Sequence, residues 1–266
     1  MSHAESVVGT TSPPASVSTS WKDELRWRDA VEVFVVYSLI LLALWSERPA
    51  QKIIGVLTFL WIVVLTLRSQ PSAAALGLRL SGLRRSLWIV AAALLAAAGL
   101  IWIASQMHTL HVVFREVSVE ASVLAYMLWA LVQQFILQDF FLLRILRILP
   151  SRTAAVIVTG ALFAGAHIPN PLLMIVTLAW GIAACVLFLH YRNLYVLAAA
   201  HGILGICLGI SIPNSVHHPM RVGLGYIRWH APVPKSQRSQ INQMVSTDAW
   251  VKADATSRRS SRHALP

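Results

Sequence analysis

Two histidines lie within apolar runs, His167 in AAVIVTGALFAGAHIP and His201 in LYVLAAAHGILGICLGI. A second polar group, Gln133, Gln134 and Gln138, with Asp139 beside it, interrupts WALVQQFILQDFFLLRIL. In hydrocarbon each such side chain costs several kcal/mol unless it finds a partner, so together they mark a candidate site. Burial favours neutral imidazole, which can take a proton from water, whereas an amide can orient water but cannot accept its proton. Helical geometry puts Gln134 and Gln138 on one face, with Gln133 about 100° and Asp139 about 140° round from Gln134. Asp139 is therefore expected to serve elsewhere, as a structural partner of Arg144 or of a neighbouring helix.

The elements that position these groups are membrane helices by composition. The chain is 56% hydrophobic and only 12% charged, with a mean hydropathy of +0.63. Soluble domains carry about 25% charged residues, so an ordinary soluble fold is excluded. Apolar runs near residues 31–46, 53–67, 87–105, 122–143, 153–168, 171–189 and 194–212 predict about seven spans in an all-α polytopic bundle. Residues 1–20 are polar and lack the apolar core of a signal peptide, so the first span is expected to direct insertion.

Arg68, Arg79, Arg84 and Arg85, then Arg144, Arg147 and Arg152, then Arg192 fall in alternate connections, which places those loops and the N-terminus in the cytoplasm of a multi-pass protein. Seven spans would put the tail outside, yet residues 213–266 hold eight Lys/Arg against two Asp. Either a re-entrant segment shifts the parity or the tail crosses despite its charge. Residues 1–28 read as a disordered arm, 29–212 as one transmembrane domain, and 213–266 as a basic, mostly disordered tail. Within that tail, HHPMRVGLGYIRWH, residues 217–230, has the glycines and aromatics of an ordered cap. The basic charge suits lipid headgroups, and nucleic acid is not expected as a partner. Cys185 and Cys207 both lie in predicted spans and provide neither a disulfide framework nor a zinc-ligand spacing.

Taken in order, these residues resemble the CAAX prenyl endopeptidase and bacteriocin-processing (CPBP) family of intramembrane proteases. That family carries Glu-Glu-x-x-x-Arg, Phe-x-x-x-His and His-x-x-x-Asn/Asp on separate transmembrane helices. Here QQFILQ stands where the first motif would be, FAGAH from Phe163 to His167 is the second intact, and His201 opens the third. Gaps of 33 residues from Gln134 to His167 and 34 from His167 to His201 agree with the pattern. The approach HYRNLYVLAAAH to His201 is similar as well, and the resemblance covers residues 120–212.

The resemblance implies a CAAX-protease-like helical bundle that hydrolyses a peptide bond in a membrane-associated substrate, with membrane lipid and a peptide or protein as partners. The implied site is Gln133, Gln134, Gln138, His167 and His201. Whether a divalent metal serves as cofactor stays open at this level. The chain departs from the family where the chemistry would be: both glutamates are glutamines, the arginine is Gln138, and the Asn/Asp is Gly205. Loss of a general base costs about 10²- to 10⁴-fold, which brings in a second expectation, a non-catalytic relative that binds a membrane segment or lipid. A small transporter or proton relay is a third, and it calls for inverted repeats that the sequence does not show.

Overall fold

The computed structural model describes residues 17–69, 71–80, 82–111 and 118–230. Among these residues the secondary structure is helical: α1 Val17–Leu44, α2 Ala50–Arg68, α3 Leu83–Gln106, α4 Val119–Phe135, a π-helix Ile136–Leu142, α5 Leu143–Ile148, α6 Arg152–Gly165, α7 Pro171–Tyr191, α8 Leu194–Ser211, and the short α9 Asn214–His217 and α10 Leu224–Ile227. Side-chain caps set several starts. Ser118, Ser151, Asn170 and Asn193 each accept the backbone N–H three residues on, at 3.1–3.2 Å, satisfying a donor that the first helical turn leaves open.

Five helical stretches are long and apolar enough to cross a bilayer: Ala50–Arg68, Leu83–Gln106, Val119–Ile148, Pro171–Tyr191 and Leu194–Ser211. Outward residues such as Leu95, Trp102, Leu124 and Ile175 are more than 60% exposed, a surface suited to lipid rather than water. The seven expected runs all fall on helices, but α6 has only 14 residues and α1 carries charges, so length and composition alone support five.

One expectation about the termini needs correction, and the ordered cap expected within residues 217–230 is present. Residues 17–28 belong to α1 rather than to a disordered arm. Residues 213–229 fold back as a cap, because backbone and Asn170 donors and acceptors hold them. The rest of the arm and the tail expected to be disordered, residues 1–16 and 231–266, lie outside the described residues.

Contacts between connections gather at two ends of the bundle. At one end, Thr109 Oγ1 donates to the Ser211 carbonyl at 2.8 Å, and the Gly223 N–H donates to the Ile168 carbonyl at 2.8 Å. At the other, the Leu194 N–H donates to Gly77 O at 3.0 Å and Arg192 donates to Ala75 O at 3.2 Å. Gly77 has φ +65°, and a Cβ there would meet the Phe188 ring at 2.9 Å, so both conformation and space require glycine.

The π-helix lies where two cores meet. Leu137 and Leu142 pack with Phe188, Leu194 and Leu197, whereas Phe140 and Phe141 pack with Val36, Ile62 and Ile145. Its wider turn returns the Leu143 N–H to Gln138 O, five residues back, and lets consecutive side chains from Leu137 to Leu142 all be buried.

Candidate functional site

The site starts at the α4–π-helix junction. Gln134 and Gln138 are fully buried, and Gln138 Nε2 donates to Gln134 Oε1 at 3.2 Å, as their four-residue spacing predicts. Gln134 Nε2 in turn donates to Nδ1 of His201 on α8 at 3.1 Å. In this amide orientation Gln138 Oε1 is left without a hydrogen-bond partner. His201 Nδ1 is therefore an acceptor, and its proton sits on Nε2.

His167 lies in the turn after α6. Its Nδ1 is 2.7 Å from Phe163 O, a contact that only an Nδ1–H can make as a hydrogen bond. The lone pair is then on Nε2. The two imidazoles are held in opposite tautomers, His167 presenting a base and His201 presenting a donor. Phe163 joins them: His167 and His201 both pack edge-on to its ring, at 5.0 and 5.9 Å between centroids. Trp180 of α7 closes the far side of His201 at 6.0 Å.

The structure thus brings together Gln134, Gln138 and His201, with His167 beside them across Phe163. Gln133 is half-buried and makes none of these hydrogen bonds. Asp139 is 1% exposed, and neither carboxylate oxygen has a partner among the described residues. The expected Asp139–Arg144 pair does not form. Arg144 Nε instead donates to Glu32 at 2.8 Å, because α1 brings a carboxylate to α5.

Three neighbours were not legible as site residues. In the sequence Phe163 stands out only as the first letter of FAGAH, and Trp180 has no polar signal to mark it. Tyr126 packs against Gly205: a Cβ there would collide with the Tyr126 hydroxyl, so the tyrosine fills the space that a larger side chain would need. Asn170 is a fourth missed residue with a supporting role. It is fully buried, accepts from the Leu173 N–H, and donates to the carbonyls of His217 at 2.8 Å and Arg221 at 3.2 Å, pinning the cap over the turn that carries His167.

A divalent metal does not fit this donor set. Zinc sites that do chemistry use three protein ligands, commonly with a carboxylate, and here His167 Nδ1 faces a backbone carbonyl and His201 Nδ1 a glutamine amide. Among the described residues no group of three or more His, Cys, Asp or Glu could hold a metal ion. The chemistry open to the site is proton transfer to His167 Nε2 and hydrogen-bond donation from His201 Nε2, flanked by two unsatisfied groups, the Trp180 indole N–H and Gln138 Oε1.

The comparisons with known proteins decide little. No family model, curated protein or solved structure matches this chain.

Proposed function

We propose that this chain is an intramembrane endopeptidase of the CAAX prenyl endopeptidase type, hydrolysing a peptide bond in a membrane-associated substrate with imidazole in place of the usual glutamate base. The observation that supports the reading is the fixed pair of opposite tautomers, His167 held by Phe163 O and His201 held by Gln134. His167 Nε2 takes a proton from water as the water oxygen bonds to the scissile carbonyl carbon. His201 Nε2–H donates to the developing oxyanion. The C–N bond then breaks, and His167 returns its proton to the leaving amine.

In this reading the helices α1 to α8 make seven crossings, with α4, the π-helix and α5 acting as one. The N-terminus is cytoplasmic in this reading, since the arginines of residues 68–85, 144–152 and 192 fall in alternate connections. The cap at residues 213–229 then faces the other side. Lipid and a membrane-associated peptide are the partners.

The replacement of all three charged residues of the first motif by Gln133, Gln134 and Gln138 favours one second reading, a non-catalytic protein that holds a membrane segment. One experiment separates the two. Purified protein in detergent is assayed on prenylated and unmodified membrane peptides, beside His167→Ala and His201→Ala. A working peptidase loses about 10²- to 10⁴-fold in each variant and is unaffected by chelator. No cleavage by folded wild type, with peptide still bound, supports the binding reading.

A further inference from the structure

A second polar site lies away from the histidines, between the α1 and α2 segments that meet α5. A cleft of about 380 Å³ is lined by Arg28, Glu32, Leu65 and Arg68. The charges around it do not balance. Glu32 is shared, accepting from the buried Arg144 at 2.8 Å and facing Arg28 at 3.5 Å. Asp29 is occupied by Arg147, which grips it with two bonds of 2.6 and 2.7 Å. The Arg68 guanidinium has no partner among the described residues. Four arginines thus face two carboxylates, and the two arginines that open onto the cleft, Arg28 and Arg68, are the ones left under-compensated.

Position and surroundings indicate which anion suits the cleft. Arg68 is the last residue of Ala50–Arg68, and Arg144 and Arg147 are near the end of Val119–Ile148, so the cleft lies where two membrane-length helices reach the headgroup level. Just below it on α2, Leu57, Leu60, Trp61 and Val64 are 41–60% exposed, an apolar wall that suits acyl chains and not a free ion. Guanidinium groups bind phosphate oxygens through planar pairs of N–H donors.

We infer that the Arg28–Arg68 cleft is a binding site for the phosphate of an anionic phospholipid headgroup, with its acyl chains along α2. Such a lipid neutralises the excess charge and ties α1 to α2 at the membrane surface.

The test uses the full chain in nanodiscs made from a mixture of phosphatidylglycerol and phosphatidylcholine, with retained lipid measured by native mass spectrometry after extraction. Wild type is expected to retain phosphatidylglycerol in preference to phosphatidylcholine. The Arg28→Gln/Arg68→Gln variant should lose about 25-fold of that preference, roughly fivefold for each arginine near an anionic surface. Arg84→Gln/Arg85→Gln, which removes two exposed arginines outside the cleft, should keep it. Equal retention by wild type and the cleft variant overturns the site, as does an equal loss in the control pair. Displacement of the lipid by millimolar inorganic phosphate overturns the lipid as occupant. If the double variant aggregates, Arg68→Gln alone, with an unchanged melting temperature, makes the same distinction.

Discussion

Gln134 donates to Nδ1 of His201 at 3.1 Å, across 67 residues of sequence. A glutamate at that position would accept from Nδ1 instead, and the proton on His201 would move accordingly. The glutamine therefore does more than replace a charged residue with a neutral one: it sets which nitrogen of His201 carries hydrogen.

Gln134→Ala should release that control and leave Gln138 Nε2 without its acceptor. The expected cost is about 1–3 kcal/mol of stability for the unsatisfied buried amide, and the proposed peptidase should lose about 10²-fold in activity. Thermal unfolding and peptide cleavage on the same preparation check both. Gln134→Glu is the opposite probe. It installs the carboxylate of the resembled family and should raise cleavage, and a rate at or below wild type would argue against a water-activating role for this position.

The two ion pairs that join α1 to α5 should differ sharply in worth. The Arg144 side chain is 3% exposed, so Glu32→Ala strands a buried cation and should cost about 3–5 kcal/mol. The Arg147 side chain is 48% exposed and can turn to water when Asp29 is removed, so Asp29→Ala should cost about 1 kcal/mol or less. Unfolding in a mild detergent titrated with denaturant would rank them, and a reversed order would disprove the assignment.

Gly205 and Tyr126 should be coupled. Gly205→Ala drives a methyl group into the Tyr126 hydroxyl, and overpacking of that kind costs about 1–3 kcal/mol. In a Tyr126→Ala background the same substitution should be nearly neutral. A double-mutant cycle read by melting temperature would show the interaction, and additivity would show that the tyrosine does not occupy the space.

The cap should loosen in acid. Burial pushes the His217 imidazole below its usual range, against the opposing effect of its hydrogen bond to Gly209 O at 3.1 Å. The folded cap therefore binds the proton less readily than the unfolded chain, whose histidine titrates near 6.5. Its contribution is fully present above about pH 6.5 and is lost as pH falls through that value toward the folded one. Hydrogen exchange at residues 214–228 should speed up between pH 7.5 and pH 5, beyond the intrinsic pH effect, and should do so less in His217→Gln.

Much of the scaffold was legible because its causes are local. Apolar run length points to membrane helices, and the four-residue step from Gln134 to Gln138 places both on one face. The polar inventory of the candidate site was also on the page, since an amide or imidazole in an apolar run stands out by type alone.

What remained out of reach depends on packing between elements far apart in the chain. Local periodicity assumes about 100° per residue, and the π-helix at Ile136–Leu142 breaks that assumption where Asp139 lies, because its course is set by the two cores it joins. The choice of Glu32 over Asp139 for Arg144, the shared Phe163 ring between the histidines, and the fold-back of residues 213–229 onto Asn170 each pair groups dozens of positions apart. By itself the sequence determined which residues are polar inside an apolar helical bundle. Only the tertiary structure decided which of them meet, and with that which nitrogen of each imidazole carries the proton.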